Sequence, residues 1–128
     1  MFGLSVIPQI DTLESKMSEI KNKSVINIDF YEDKYSYVVF ETGKYLLGVK
    51  KIGGKDRENV EISEMPRNFI YDNGNVFVFY QKSMEVYNSL RMKIKEYNGS
   101  MLITDPIVFG EGRNVAFLVS NKLIMFGI

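Results

Sequence analysis

No cysteine, histidine or tryptophan occurs among the 128 residues, and proline occurs three times. Without cysteine there is no disulfide, no thiol nucleophile and no thiolate zinc site. Without histidine the commonest general base and the commonest metal ligand are missing, and a Ser-His-Asp triad cannot form. An excess of one charge is lacking too: 16 Lys and Arg offset 16 Asp and Glu. A chain with no net charge has no long-range pull toward nucleic acid or anionic lipid, which argues against both as partners of the whole protein. A local basic patch is still allowed. Long hydrophobic runs are also absent. Met1 to Ile10 is apolar, but Pro8 interrupts it, it carries no basic n-region, and it is too short to span a bilayer. It reads as a strand, and a cytoplasmic location is expected.

What is present is a globular composition. Hydrophobic residues make up 45% of the chain, enough for one domain over residues 1–128 to bury a core without staples. Three segments align without a gap: Ser36 to Gly48, Asn75 to Tyr87 and Asn114 to Phe126. Each is an apolar run, a polar turn and a second apolar run, which is the strand-and-hairpin signal. Tyr37, Val76 and Val115 share a column, as do Phe40, Phe79 and Leu118. The turn column reads Thr42-Gly43, Gln81-Lys82 and Ser120-Asn121. The match extends backward through Phe30, Phe69 and Val108 to an acidic column of Asp33, Asp72 and Glu111. A first turn follows at Lys34-Tyr35, Asn73-Gly74 and Gly112-Arg113, and Asn-Gly between apolar runs is the strongest short-range hairpin signal.

Outer strands are expected at Asn59 to Ser63 and at Arg91 to Tyr97, where polar and apolar residues alternate as on a half-exposed strand. The fold expected is therefore all-β, with three four-stranded repeats of about 39 residues over roughly 25–63, 64–103 and 104–128. The third repeat reaches Ile128 before a fourth strand, and Met1 to Ile7 is expected to supply one. A short helix is predicted at about 12–21, where Asp11 and Glu14 form a capping box and Leu13, Met17 and Ile20 recur at helical spacing.

A four-stranded unit of this length, carried best by Phe69 to Tyr87, resembles a β-propeller blade. The resemblance is to the fold alone, since no WD, kelch or quinone-type signature is present. It implies association, because three blades are too few to close a ring. Two chains would complete six blades about a two-fold axis. The alternative is a β-trefoil, which also uses three such units and closes as a monomer; Gly43 to Val49 looks like its strand pattern.

Carboxylates are the candidates for acid–base chemistry. Cleaving a glycosidic bond needs two of them about 5–10 Å apart across the bond. The column of Asp33, Asp72 and Glu111 is better read as turn-forming, each side chain bonding its own backbone. Lys50, Lys51, Lys55 and Arg57 surround Gly53-Gly54 in one basic loop. Glycine amides with flanking lysines can hold a phosphate. The loop lacks P-loop spacing and opens no helix, so it reads as a solvated hairpin loop. Tyr31, Tyr35, Tyr37, Tyr45, Tyr80 and Tyr87 are too many for all to be wholly buried, and half-buried sheet positions are expected for several.

The function expected is a non-enzymatic protein-interaction or assembly module, self-associating through repeat edges or faces. A homodimer, or another protein chain, is the expected partner, and no cofactor is expected. Loops between repeats should carry contacts. These are Met65 and Arg67 in one and Asp105 in the next, with the second-turn residues Gly43, Lys82 and Asn121 beside them. The alternatives are a lectin-like trefoil binding carbohydrate and a carboxylate-based glycosidase.

Overall fold

Strands form where branched and aromatic residues run between turn residues that accept left-handed backbone. The computed structural model describes residues 25–55 and 57–128. The helix expected at 12–21 and the strand expected over Met1 to Ile7 lie outside the described residues. Four antiparallel strands make the first sheet: β1 (Val25–Tyr31), β2 (Lys34–Glu41), β3 (Lys44–Lys51) and β4 (Val60–Ile62). The second sheet holds β5 (Asn68–Asp72), β6 (Asn75–Phe79), β7 (Ser83–Tyr87) and β8 (Lys93–Asn98). The third holds β9 (Ile103–Phe109), β10 (Asn114–Val119) and β11 (Lys122–Gly127). The described part of the chain is all-β.

Every strand pairs with its neighbour in sequence, and each sheet is one contiguous stretch of chain. The outer strands expected from alternation are present as β4 and β8. Among the described residues nothing pairs with the free edge of β11, so the third sheet has three strands. No sheet closes into a barrel, which is the closure a trefoil needs; the described residues hold three separate sheets instead.

The register records the repeat. Tyr37 pairs with Gly48, Val76 with Tyr87 and Val115 with Phe126, three equivalent pairs in the second hairpins. Asn73 and Gly74 turn at φ 47° and 86°, the left-handed pair that an Asn-Gly hairpin requires. The first hairpins do not keep one register. Tyr31 pairs with Lys34, so the turn is Glu32-Asp33 and the expected turn Lys34-Tyr35 belongs to β2. The reason is packing: Tyr35 is fully buried, and a turn there would carry its ring into solvent.

Period-two alternation explains how the sheets stack. In β6, Val76 and Val78 face one way and Phe77 and Phe79 the other. Val76 and Val78 join Val38, Leu47 and Ile62 of the first sheet in one core, with Tyr71 and Tyr80. Phe77 and Phe79 join Met84, Val86, Val115 and Phe117 in a second core against the third sheet. The second sheet is therefore buried on both faces, and its β6 is accordingly apolar without a break. A third cluster closes the far face of the first sheet around Tyr35 and Val39, with Val25, Ile28 and Leu46 against them.

Polar contacts at the first strands and first turns lock this order. The Asp29 carboxylate accepts the Tyr71 amide at 2.8 Å. The side-chain amides of Asn73 and Asn75 donate to the Glu111 and Gly112 carbonyls, each at 2.9 Å. The first strands β1, β5 and β9 are the elements of neighbouring sheets that come closest together.

Candidate functional site

Two surfaces stand out, an open apolar end and a basic cleft. The first is the outer face of the third sheet. Val115, Phe117, Ile124 and Phe126 point at the second sheet, so alternation sends Ala116, Leu118, Leu123 and Met125 outward. Ala116 stands between Ile107 and Met125, and Leu118 stands beside Leu123, so these side chains form one contiguous apolar patch. Leu123 is 63% exposed, Met125 58%, Ile107 52% and Phe109 39%. A soluble monomer seldom leaves a contiguous apolar sheet face uncovered. The backbone edge of β11 adjoins it, and an unpaired edge is a template for another strand. Lys95 of β8 guards one end, donating to the Gly127 carbonyl at 2.9 Å and lying 5.1 Å from the Phe126 ring centre.

The second surface is a cleft of about 310 Å3 between the first two sheets. The basic loop read from the sequence lines it with Lys50, Lys51, Lys55 and Arg57, and folding adds Lys34 and Arg91. Lys50, within β3, is only 6% exposed, whereas Lys51, Lys55 and Arg57 are exposed. Backbone hydrogen bonds shape the wall: the Ile52 amide donates to the Asp33 carbonyl at 2.7 Å and the Gly54 amide to Lys51 at 2.8 Å. Lys51 lies 3.6 Å from the Asp33 carboxylate. Across the cleft the Asn88 side chain accepts the Leu90 and Met92 amides, at 2.9 and 3.1 Å, and holds the β7–β8 turn that carries Arg91. Arg91 and Lys34 are distant in sequence from the loop, and no local signal marks them.

The six loop residues expected to contact a partner are all exposed. Lys82 sits where two connections meet: its carbonyl accepts the Gly99 amide and the neighbouring Gln81 carbonyl accepts the Ile103 amide, each at 2.9 Å. The Ser120 hydroxyl beside Asn121 donates to the Met101 sulfur at 3.1 Å. The β6–β7 and β10–β11 turns thus share a rim with the segment between β8 and β9. Met65 and Arg67 lie between the first two sheets, and the Arg67 amide donates to Phe79 at 2.7 Å. Gly43 turns at φ 77° at the tip of the β2–β3 hairpin. Asp105 differs from expectation, since β9 already runs through it. It stands with φ 51° at the bulge where Asp105 and Pro106 oppose Phe117.

The tyrosines divide. Tyr35, Tyr80 and Tyr87 are buried, while Tyr31, Tyr37 and Tyr45 are half-buried. The Tyr80 and Tyr87 hydroxyls both donate to Glu85, at 2.7 and 3.0 Å, and Lys93 lies 3.3 Å from the same carboxylate. Burial first, and then Glu85, pushes both phenols well above their ordinary value. Among the described residues no group of three or more acidic side chains gathers to hold a metal ion. Among them too, no helix is long and apolar enough to cross a membrane. No protein-family model and no curated protein matches this chain.

Proposed function

We propose that the protein is an assembly module whose third sheet docks a second copy of the same chain. The observation that carries this is the outer face of β9–β11, which no other sheet among the described residues covers, with Leu123 63% and Met125 58% exposed. Inside the chain, sheet faces of this kind are satisfied by another apolar sheet face, on both sides of β6. Among the described residues the end of the stack repeats the pattern with no neighbouring sheet. A second copy can supply such a face without net-charge repulsion, because the chain carries no net charge. Packing the same patch on both partners about a two-fold axis makes a closed, isologous contact.

A second reading takes the three sheets as half of a six-bladed β-propeller completed by dimerisation. The convergence of β1, β5 and β9 favours it, since first strands line the centre of a propeller. Ring closure must bring the third sheet of one copy against the first sheet of the other. That far face already buries Tyr35 and Val39. The two-fold contact uses only the open end and is the form proposed.

Light scattering on eluted protein tests the association: a dimer of the 14.8 kDa chain is expected at micromolar concentration. Leu123→Lys with Met125→Lys should return it to monomer. A monomeric wild type, or a dimeric double variant, rejects the reading. The lack of cysteine allows a clean geometric test. A lone Cys at position 123 should cross-link to its own copy across a two-fold contact and fail to do so in a six-sheet ring.

A further inference from the structure

We propose that the cleft between the first and second sheets is a binding site for a small polyphosphate-bearing ligand, recognised through two or more adjacent phosphate groups. Six cations from separate parts of the chain line one concavity: Lys34 from β2, Lys50 and Lys51 from the end of β3, Lys55 and Arg57 from the loop after it, and Arg91 from the turn of the neighbouring sheet. Bringing like charges together in folding opposes stability, and an anion bound among them relieves that cost. Asp33, 3.6 Å from Lys51, offsets part of the charge.

The shape selects a compact ligand. A volume of about 310 Å3 lies at the small end of the range that ligand sites occupy, roughly 300–1,000 Å3. The cations come from two sheets, Arg91 from the β7–β8 turn and Lys55 and Arg57 from the loop after β3, and the proposed ligand bridges the two groups. Arginine supplies a planar fork for phosphate oxygens and lysine a point charge. The chemistry argues against a nucleic-acid strand. Such sites are grooves that track a backbone and stack bases on aromatic rings. Here no aromatic ring among the described residues lines the cleft; its apolar lining is Val49 and Leu90. With nothing to stack a base, the site reads the phosphates rather than what they are attached to.

Both walls are preorganised. Asn88 holds the turn that sets Arg91 at φ 60°, and the Ile52 and Gly54 amides tie the loop to Asp33 and Lys51. The backbone that carries the cations is therefore fixed before a ligand enters, and the ordering cost is confined to the side chains.

Titration calorimetry of the full chain with inorganic tripolyphosphate at low salt tests this. Saturable binding of one tripolyphosphate per chain is expected. A nucleoside triphosphate should bind within a few-fold of it, and affinity should fall as salt rises. Arg91→Gln should weaken binding about tenfold, as should Lys55→Gln, each removing one charge-assisted contact. Lys44→Gln makes the same charge change at the β2–β3 turn outside the cleft and should have no effect. Melting curves of all three variants check that they fold. The proposal is overturned by any of three results: no saturable binding to the folded wild type, equal weakening by Lys44→Gln and Arg91→Gln, or a single-stranded oligonucleotide that outcompetes tripolyphosphate at equal phosphate concentration.

Discussion

Gly112 offers the sharpest test of how the second and third sheets meet. Its φ is 73°, and a Cβ added there would overlap the Asp72 carbonyl of the second sheet and lie 3.4 Å from the Asn73 Cβ. Gly112→Ala therefore meets two costs. Left-handed backbone costs a residue with a side chain about 1–2 kcal/mol. Relieving the overlap means separating two backbones, because no flexible side chain is there to yield. That separation strains the Asn75 bond to the Gly112 carbonyl and the Asn73 bond to Glu111, both 2.9 Å long. Each is worth about 0.5–1.5 kcal/mol. The expected loss is about 2–5 kcal/mol in all, a large part of a small domain's stability. Gly74→Ala is the matched control. Its φ is 86°, and nothing lies within 4 Å of its added Cβ. It should lose only the conformational share, about 1–2 kcal/mol. Urea denaturation followed by circular dichroism measures both. A Gly112→Ala loss equal to that of Gly74→Ala would refute the close approach of the two turns.

Three other outcomes follow from the packing. Phe117 is 1% exposed, with the Phe79, Tyr97 and Phe126 ring centres at 6.2, 5.0 and 6.0 Å, so Phe117→Ala should cost about 3–5 kcal/mol in the same assay. On the opposite face of that sheet Phe109 is 39% exposed, so Phe109→Ala should change the chain's own stability little and weaken dimerisation. Tyr80 and Tyr87 should remain protonated when exposed tyrosines ionise near pH 10. Their folded values are raised, so the stability they contribute is whole below pH 10 and falls as pH rises above it. The slope should reach about 1.4 kcal/mol per pH unit for each residue. Phenolate absorbance against pH checks this, and eight tyrosines titrating together near pH 10 in the folded protein would contradict it.

The local features were legible in the sequence because their causes are local. Alternation and turn residues placed β2–β3, β6–β7 and β10–β11 at a constant spacing, and those hairpins share one register. Asn73-Gly74 specified its turn by backbone preference alone. The slipped first turn was not legible, because Lys34-Tyr35 yields to Glu32-Asp33 only once the Tyr35 ring has a core to enter. Nor was the bulge at Asp105, where β9 bends to follow its neighbours.

The sequence by itself determined an all-β chain of repeated hairpins without thiol or imidazole chemistry, since strand and turn preferences act over a few residues. Only the tertiary structure decided which face of each strand is covered. Alternation defines two faces and says nothing about which one a neighbouring sheet will reach, so the open end at Leu123 and Met125 emerges only when the sheets are stacked. The cleft is the same case: four of its cations stood together in one loop, but Lys34 and Arg91 join them only because β2 and the β7–β8 turn are brought alongside.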